Sequence, residues 1–196
     1  MAGIVTGPPV WLIFRLRASG KENIPREGGF VLSANHLSNL DPWALGLPLF
    51  PRRQLRFMAK AELFDSPLKP IVKAAGAFRV RRGEGDAEAI ATAVQLAREG
   101  EVVVIFPEGT RRTKGLVKRH AARPHTGAVR VALEAGAPLI PAAIAGTDRL
   151  SRLGPLQVAY GTPVVLDDLR DRDAREAAEI GTERLMAAIG ELEGSL

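Results

Sequence analysis

Residues 86–111 read DAEAIATAVQLAREGEVVVIFPEGTR, and two patterns within them decide the fold. Ala87 to Glu99 has the periodicity of a helix, opened by a turn and cap at 83–86 and ended at Gly100. Val102 to Phe106 follows at once: five apolar residues, three of them consecutive valines, the composition of a strand buried on both faces. The same alternation extends outward. Upstream, residues 12–18 alternate around Arg15 and Arg17 as a half-buried strand would, and Phe30 to Leu32 reads as a short buried strand. Asp41-Pro42 reads as a helix start, Asp as N-cap and Pro as first helical residue, with the helix running to about Leu49. Leu55 to Ala59 is a strand. Ala61 to Ala75 is helical in part and broken near Pro67 and Pro70, and Gly76 to Arg81 is a strand. Downstream come a helix at Gly127–Ala135, a strand at Leu139–Ile144, and a last pair of short strands at Val158–Tyr160 and Val164–Leu166. Arg172 to Leu192 then forms an amphipathic helix. Strands alternating with helices predict an α/β fold, a largely parallel or mixed sheet flanked by helices, in one domain over 1–196.

Composition narrows the function classes. With 196 residues, 46% hydrophobic and 25% charged, the chain is ordinary globular material and neither disordered nor fibrous. It has no cysteine, which excludes disulfides, thiolate metal sites and a cysteine nucleophile. Three histidines, His36, His120 and His125, leave little for a metal site, so none is expected. Charge is uneven. Residues 1–85 carry 13 Lys and Arg against 6 Asp and Glu, net +7, whereas residues 166–196 carry net −5. A basic body favours anionic partners: phosphorylated substrates, anionic lipid or nucleic acid. Nucleic acid is the poorest fit, because aromatic residues for base stacking are only 5% of the chain. The apolar run at 10–14 is interrupted by Arg15, so the amino terminus does not read as a signal peptide. No stretch nears the ~20 apolar residues of a transmembrane helix. Any membrane contact is expected to be peripheral.

Two constellations could carry chemistry. In Asn35-His36-Leu37-Ser38-Asn39-Leu40-Asp41, a histidine follows a buried strand and an aspartate opens a helix five positions later. A carboxylate accepting the imidazole Nδ1–H fixes the tautomer and leaves Nε2 free as a base. The plainer alternative is a surface histidine with Asp41 serving only as a cap. In Phe106-Pro107-Glu108-Gly109-Thr110-Arg111, a buried strand empties into a turn. Gly109 permits close backbone approach, Thr110 offers a hydroxyl and Arg111 a two-pronged phosphate ligand. The alternative is an ordinary turn with a solvated arginine. No dinucleotide, P-loop or nucleophile-elbow motif competes. The basic run 111–123 is either a solvated loop or an attractor for phosphate-rich donors and anionic lipid.

These two segments, as NHLSNLD and FPEGTR, resemble the NHxxxxD and FPEGTR motifs of the glycerophospholipid acyltransferases, in the branch that acylates 1-acyl-glycerol 3-phosphate. Residues 76–82 resemble that family's intervening block, aligning Arg82 (or else Arg81) with its arginine. Leu139–Ile144 resembles the fourth block, so the likeness covers residues 12–166 and leaves 167–196 as a C-terminal helical segment. His125-Thr126-Gly127 departs from the lysine that relatives often carry there.

The resemblance implies an acyltransferase acting by direct transfer. His36, oriented by Asp41, would deprotonate the free hydroxyl of lysophosphatidic acid, which attacks the thioester of acyl-CoA or acyl-acyl carrier protein to give phosphatidic acid. Arg82, Gly109 and Arg111 would contact the acceptor phosphate. Asn35, Glu108 and Thr110 would organise the site. No cofactor beyond the acyl thioester co-substrate is implied. The expected partners are that donor, the lysophospholipid and an anionic membrane surface at the cytoplasmic face of the cell membrane, with no nucleic acid. Other acceptors (glycerol 3-phosphate, another lysophospholipid, a glycolipid) and a non-catalytic lipid-binding role are the alternatives.

Overall fold

The computed structural model describes residues 14–67, 69–80, 86–112, 124–152 and 154–196. They form a seven-stranded sheet in the order β1-β7-β6-β2-β5-β3-β4, with β1 Arg17–Ser19, β2 Phe30–Ala34, β3 Leu55–Lys60, β4 Ala77–Val80, β5 Val102–Ile105, β6 Leu139–Ala145 and β7 Gln157–Tyr160. Neighbouring strands run parallel except β6 and β7, so β7 and β1 point against the other five. The helices are α1 Asp41–Gly46, α2 Ala61–Phe64, α3 Lys69–Ala74, α4 Asp86–Arg98, α5 Gly127–Ala135 and α6 Ala174–Gly194.

The central strands are apolar on both faces because both faces are covered. Phe30, Leu32 and Ala34 of β2 join Val102 and Val104 of β5 on one side, under Ala44 and Leu45 of α1. Val31, Val103 and Ile105 point the other way, into a layer made by α4, α5 and α6. α6 packs closely on α5 because Gly181 is bare: a Cβ there would lie 2.5 Å from Val129 Cγ1. Asp173 caps α6, accepting from the backbone N–H groups of Arg175 and Glu176 at 2.9 and 3.2 Å.

Three expectations need correction. The first strand is Arg17–Ser19 rather than 12–18: Phe14 is helical, Arg15 has a φ of 45°, and residues 12 and 13 lie outside the described residues. Val164–Leu166 is not a strand, although the Val164 N–H bonds the Leu139 carbonyl at 2.8 Å. Pro163, just before it, has no N–H to give to a ladder. The segment 61–75 is broken as expected, between Phe64 and Lys69, with Pro67 in the gap and Pro70 in the first turn of α3, where its missing N–H costs nothing. Asp41 is not the cap of α1: Leu40 occupies that position, the Asp41 carboxylate points back into the preceding loop, and the helix ends at Gly46 rather than Leu49.

Candidate active site

β2 lies between β5 and β6, and all three end on one edge of the sheet. That edge gathers the residues that follow each strand: Asn35 and His36 after β2, Phe106 to Arg112 after β5, and Gly146 and Thr147 after β6. The carboxyl ends of parallel strands are where α/β folds open clefts.

His36 Nδ1 lies 2.7 Å from Asp41 Oδ2. That same oxygen accepts the Leu37 and Ser38 N–H groups at 2.6 and 2.8 Å, which bends the 36–41 loop back on itself. The other oxygen, Oδ1, accepts the Thr147 hydroxyl at 2.5 Å. Asp41 is wholly buried, and a buried carboxylate persists as an anion only with such partners. An ionised carboxylate offers acceptors alone, so Nδ1 must carry the proton and the lone pair sits on Nε2. The imidazole stacks on Phe106, centroids 4.1 Å apart and planes 14° off parallel. Its side chain remains 18% exposed. With Nδ1 carrying the proton, the imidazole thus reaches the surface at the sheet edge with its lone pair on Nε2.

The loop after β5 is tied to this pair. The Arg112 N–H bonds the His36 carbonyl at 3.0 Å, and the His125 N–H bonds the Pro107 carbonyl at 2.7 Å. Gly109 has a φ of 64°, and a Cβ on it would lie 2.6 Å from the His125 ring, so both backbone and space demand glycine. The two arginines that follow differ sharply. The Arg112 guanidinium is clamped: Nε donates to both Glu108 oxygens at 2.8 and 2.9 Å, Nη1 to Glu193 Oε1 at 2.6 Å, and Nη2 to Glu193 Oε2 at 3.0 Å. Partial burial works against its charge, but the bonds from Glu108 and Glu193 outweigh that and hold its pKa above the ordinary arginine value. Arg111 is half-buried and has no side-chain partner among the described residues.

Of the residues expected at the site, His36, Asp41, Asn35, Glu108, Gly109 and Arg111 are on this edge. Asn35 is fully buried; it bonds the Ile144 carbonyl and N–H at 2.9 and 2.8 Å and donates to Glu193 Oε1 at 2.8 Å. Thr110 is exposed, and its hydroxyl has no partner among the described residues. Arg81 and Arg82 lie outside the described residues; β4, which leads to them, ends at Val80 on the same side of the sheet. Thr147, Arg112 and Glu193 were not foreseen as site residues. The position of Thr147 just past the apolar strand 139–145 was the one available signal.

Comparison with known proteins bears on this arrangement. A family model described as Acyltransferase matches residues 15–145. A 1-acyl-sn-glycerol-3-phosphate acyltransferase of Bacillus subtilis is 34% identical over 185 residues, 92% of this chain and 89% of that one. A protein of the same name from Borreliella burgdorferi is 28% identical over 147 residues, 71% of this chain and 55% of its own length. The crystal structure of the 1-acyl-sn-glycerophosphate acyltransferase PlsC from Thermotoga maritima shares the fold with a TM-score of 0.68. It is 25% identical, over 95% of this chain and 76% of that one. With the His36–Asp41 pair and the strand-end arginine loop inside the matched region, the chain is an enzyme that belongs to the acyltransferase family.

Proposed function

We propose that the enzyme transfers a fatty acyl group from an acyl thioester to the free hydroxyl of lysophosphatidic acid, giving phosphatidic acid. The observation that carries this is a histidine whose Nδ1 lies 2.7 Å from a buried aspartate, beside a strand-end loop, with His36 Nε2 and the Arg111 side chain both unpaired among the described residues. The names of the Bacillus subtilis and Thermotoga maritima relatives point to the same acceptor.

In this reading His36 Nε2 takes the hydroxyl proton as the oxygen attacks the thioester carbonyl. The C–S bond then breaks, and the imidazolium returns its proton to the departing sulfur as free thiol. Asp41 faces the positive charge that His36 gains and loses. An alcohol does not ionise at neutral pH, so the proton must move during attack. The donor is acyl-CoA or acyl-acyl carrier protein. Arg111 and Arg82 hold the acceptor phosphate, with Gly109 shaping the turn, while Asn35, Glu108 and Thr110 organise the loops.

Arg111→Lys tests the phosphate assignment. Lysine keeps the charge and loses the planar fork. We expect a fall of roughly 10–100-fold in kcat/KM with lysophosphatidic acid and a much smaller one with an acceptor lacking phosphate. Equal impairment with every acceptor would assign Arg111 to the donor or the fold.

Among the described residues no helix is long and apolar enough to cross a membrane. The lipid acceptor and the net charge of +7 over residues 1–85 support peripheral attachment to the anionic, cytoplasmic face of the membrane. Sedimentation with phosphatidylglycerol vesicles should then show binding that weakens from low to high salt. Salt-independent binding to neutral phosphatidylcholine vesicles would instead indicate apolar insertion.

A further inference from the structure

Glu193 lies in the last turn of α6, outside the matched residues 15–145. Its place runs against local preference. A carboxylate at a helix C-terminus opposes the helix dipole, and that turn holds no basic residue to offset it. The compensation is tertiary. Glu193 Oε1 accepts from Asn35 Nδ2 at 2.8 Å and from Arg112 Nη1 at 2.6 Å, and Oε2 accepts from Arg112 Nη2 at 3.0 Å. Asn35 is the residue immediately before His36, and Arg112 the residue immediately after Arg111. One carboxylate, 158 residues from Asn35 and 81 from Arg112 in sequence, therefore holds the neighbours of both groups that the proposed reaction uses.

The same contacts explain why Arg111 and Arg112, adjacent and chemically alike, differ in availability. Glu108 and Glu193 together occupy both two-pronged edges of the Arg112 guanidinium, leaving a single Nη1 N–H, so Arg112 has no fork to offer an incoming phosphate. Glu108 alone would leave the Nη1 side of Arg112 open. It could then swing toward the anion or pull the loop with it, moving Arg111 off the phosphate, while Asn35, held also by the Ile144 backbone, keeps His36 in place.

We propose that Glu193 is a positioning residue for the transfer: by fixing Arg112 and Asn35 it sets Arg111 for the acceptor phosphate in register with His36. This rests on the acceptor proposed above. The wild-type enzyme decides that reading, while the comparison of variant with wild type decides this one.

The test is Glu193→Gln in the full chain, assayed with oleoyl-CoA and two acceptors, 1-oleoyl-lysophosphatidate and the phosphate-free 1-oleoylglycerol. Glutamine matches the shape, but in either orientation its amide NH₂ faces an Arg112 nitrogen, donor against donor, and in one of them Asn35 as well. We expect kcat/KM to fall about tenfold with lysophosphatidate, chiefly through KM, and less than twofold with oleoylglycerol. A role confined to anchoring α6 would lower the melting temperature and reduce both acceptors alike. An unchanged ratio between the two acceptors overturns the proposal. Should the glutamine variant fail to fold, Glu193→Asp, which keeps the charge on a shorter arm, should lose about threefold with lysophosphatidate alone; again an unchanged ratio overturns it.

Discussion

Replacing His36 with alanine is expected to lower kcat/KM for acyl transfer about 10²–10⁴-fold, the range a general base commonly supplies. The fold should survive. The imidazole is partly exposed and contributes one hydrogen bond and one ring stack. Asp41 keeps its three other donors, from Leu37, Ser38 and Thr147, when the imidazole is gone. What is lost is the group that takes the hydroxyl proton in the proposed reaction, and positioning and polarisation must then supply the remaining rate. Initial rates with acyl-CoA and lysophosphatidic acid, alongside thermal melting, check both halves. Turnover near wild type in a folded variant would remove His36 from the reaction.

Asp41→Asn should cost about 10²–10³-fold in kcat/KM with little change in melting temperature. The hydrogen bonds decide its effect. Three donors converge on Oδ2, so the amide oxygen must take that side, leaving the NH₂ to face Thr147, whose hydroxyl can turn to accept it. Asparagine thus preserves the loop and still accepts the Nδ1–H. In a Ser-His-Asp site the same change costs about 10⁴-fold because the imidazole takes the wrong tautomer. Here the tautomer is retained and only the charge facing the imidazolium is lost, which sets the smaller figure. Asp41→Ala behaves differently. It leaves the buried Thr147 hydroxyl without its acceptor, at about 1–3 kcal/mol, and two N–H groups of a half-buried loop without theirs, at less, and should unfold at visibly lower temperature. An asparagine variant retaining more than a third of wild-type activity would mean that Asp41 serves the loop alone.

The parts of the fold that were legible in sequence are those where burial is two-sided. Phe30–Leu32 and Val102–Phe106 stand out because both their faces are covered, so unbroken apolar runs mark them. The edge was harder. The alternation at 12–18 has the period of a strand, yet Arg15 takes a φ of 45° and pairing with β7 begins at Arg17. Asp41 shows how a correct pairing can carry a wrong local role. Asp-Pro is a common helix opening, but three donors from the preceding loop and one from Thr147 draw the carboxylate away from the helix end. Thr147 and Glu193 could not be assigned, because their partners lie 106 and 158 residues away and only the sheet order brings them together. Arg112 read as one cation in a basic run; its capture by Glu108 and Glu193 is a tertiary event.

Direct transfer to a phosphate-bearing lysolipid, assisted by a base, proceeds without an acylated protein in the proposed reaction. Rapid quenching of the wild-type enzyme with radiolabelled acyl-CoA and lysophosphatidic acid follows the label through a single turnover. Label is expected to pass from thioester to phosphatidic acid with none bound to protein at any time. Protein-bound label that appears in amounts matching the enzyme and chases into lipid would contradict it, as would label that never reaches phosphatidic acid.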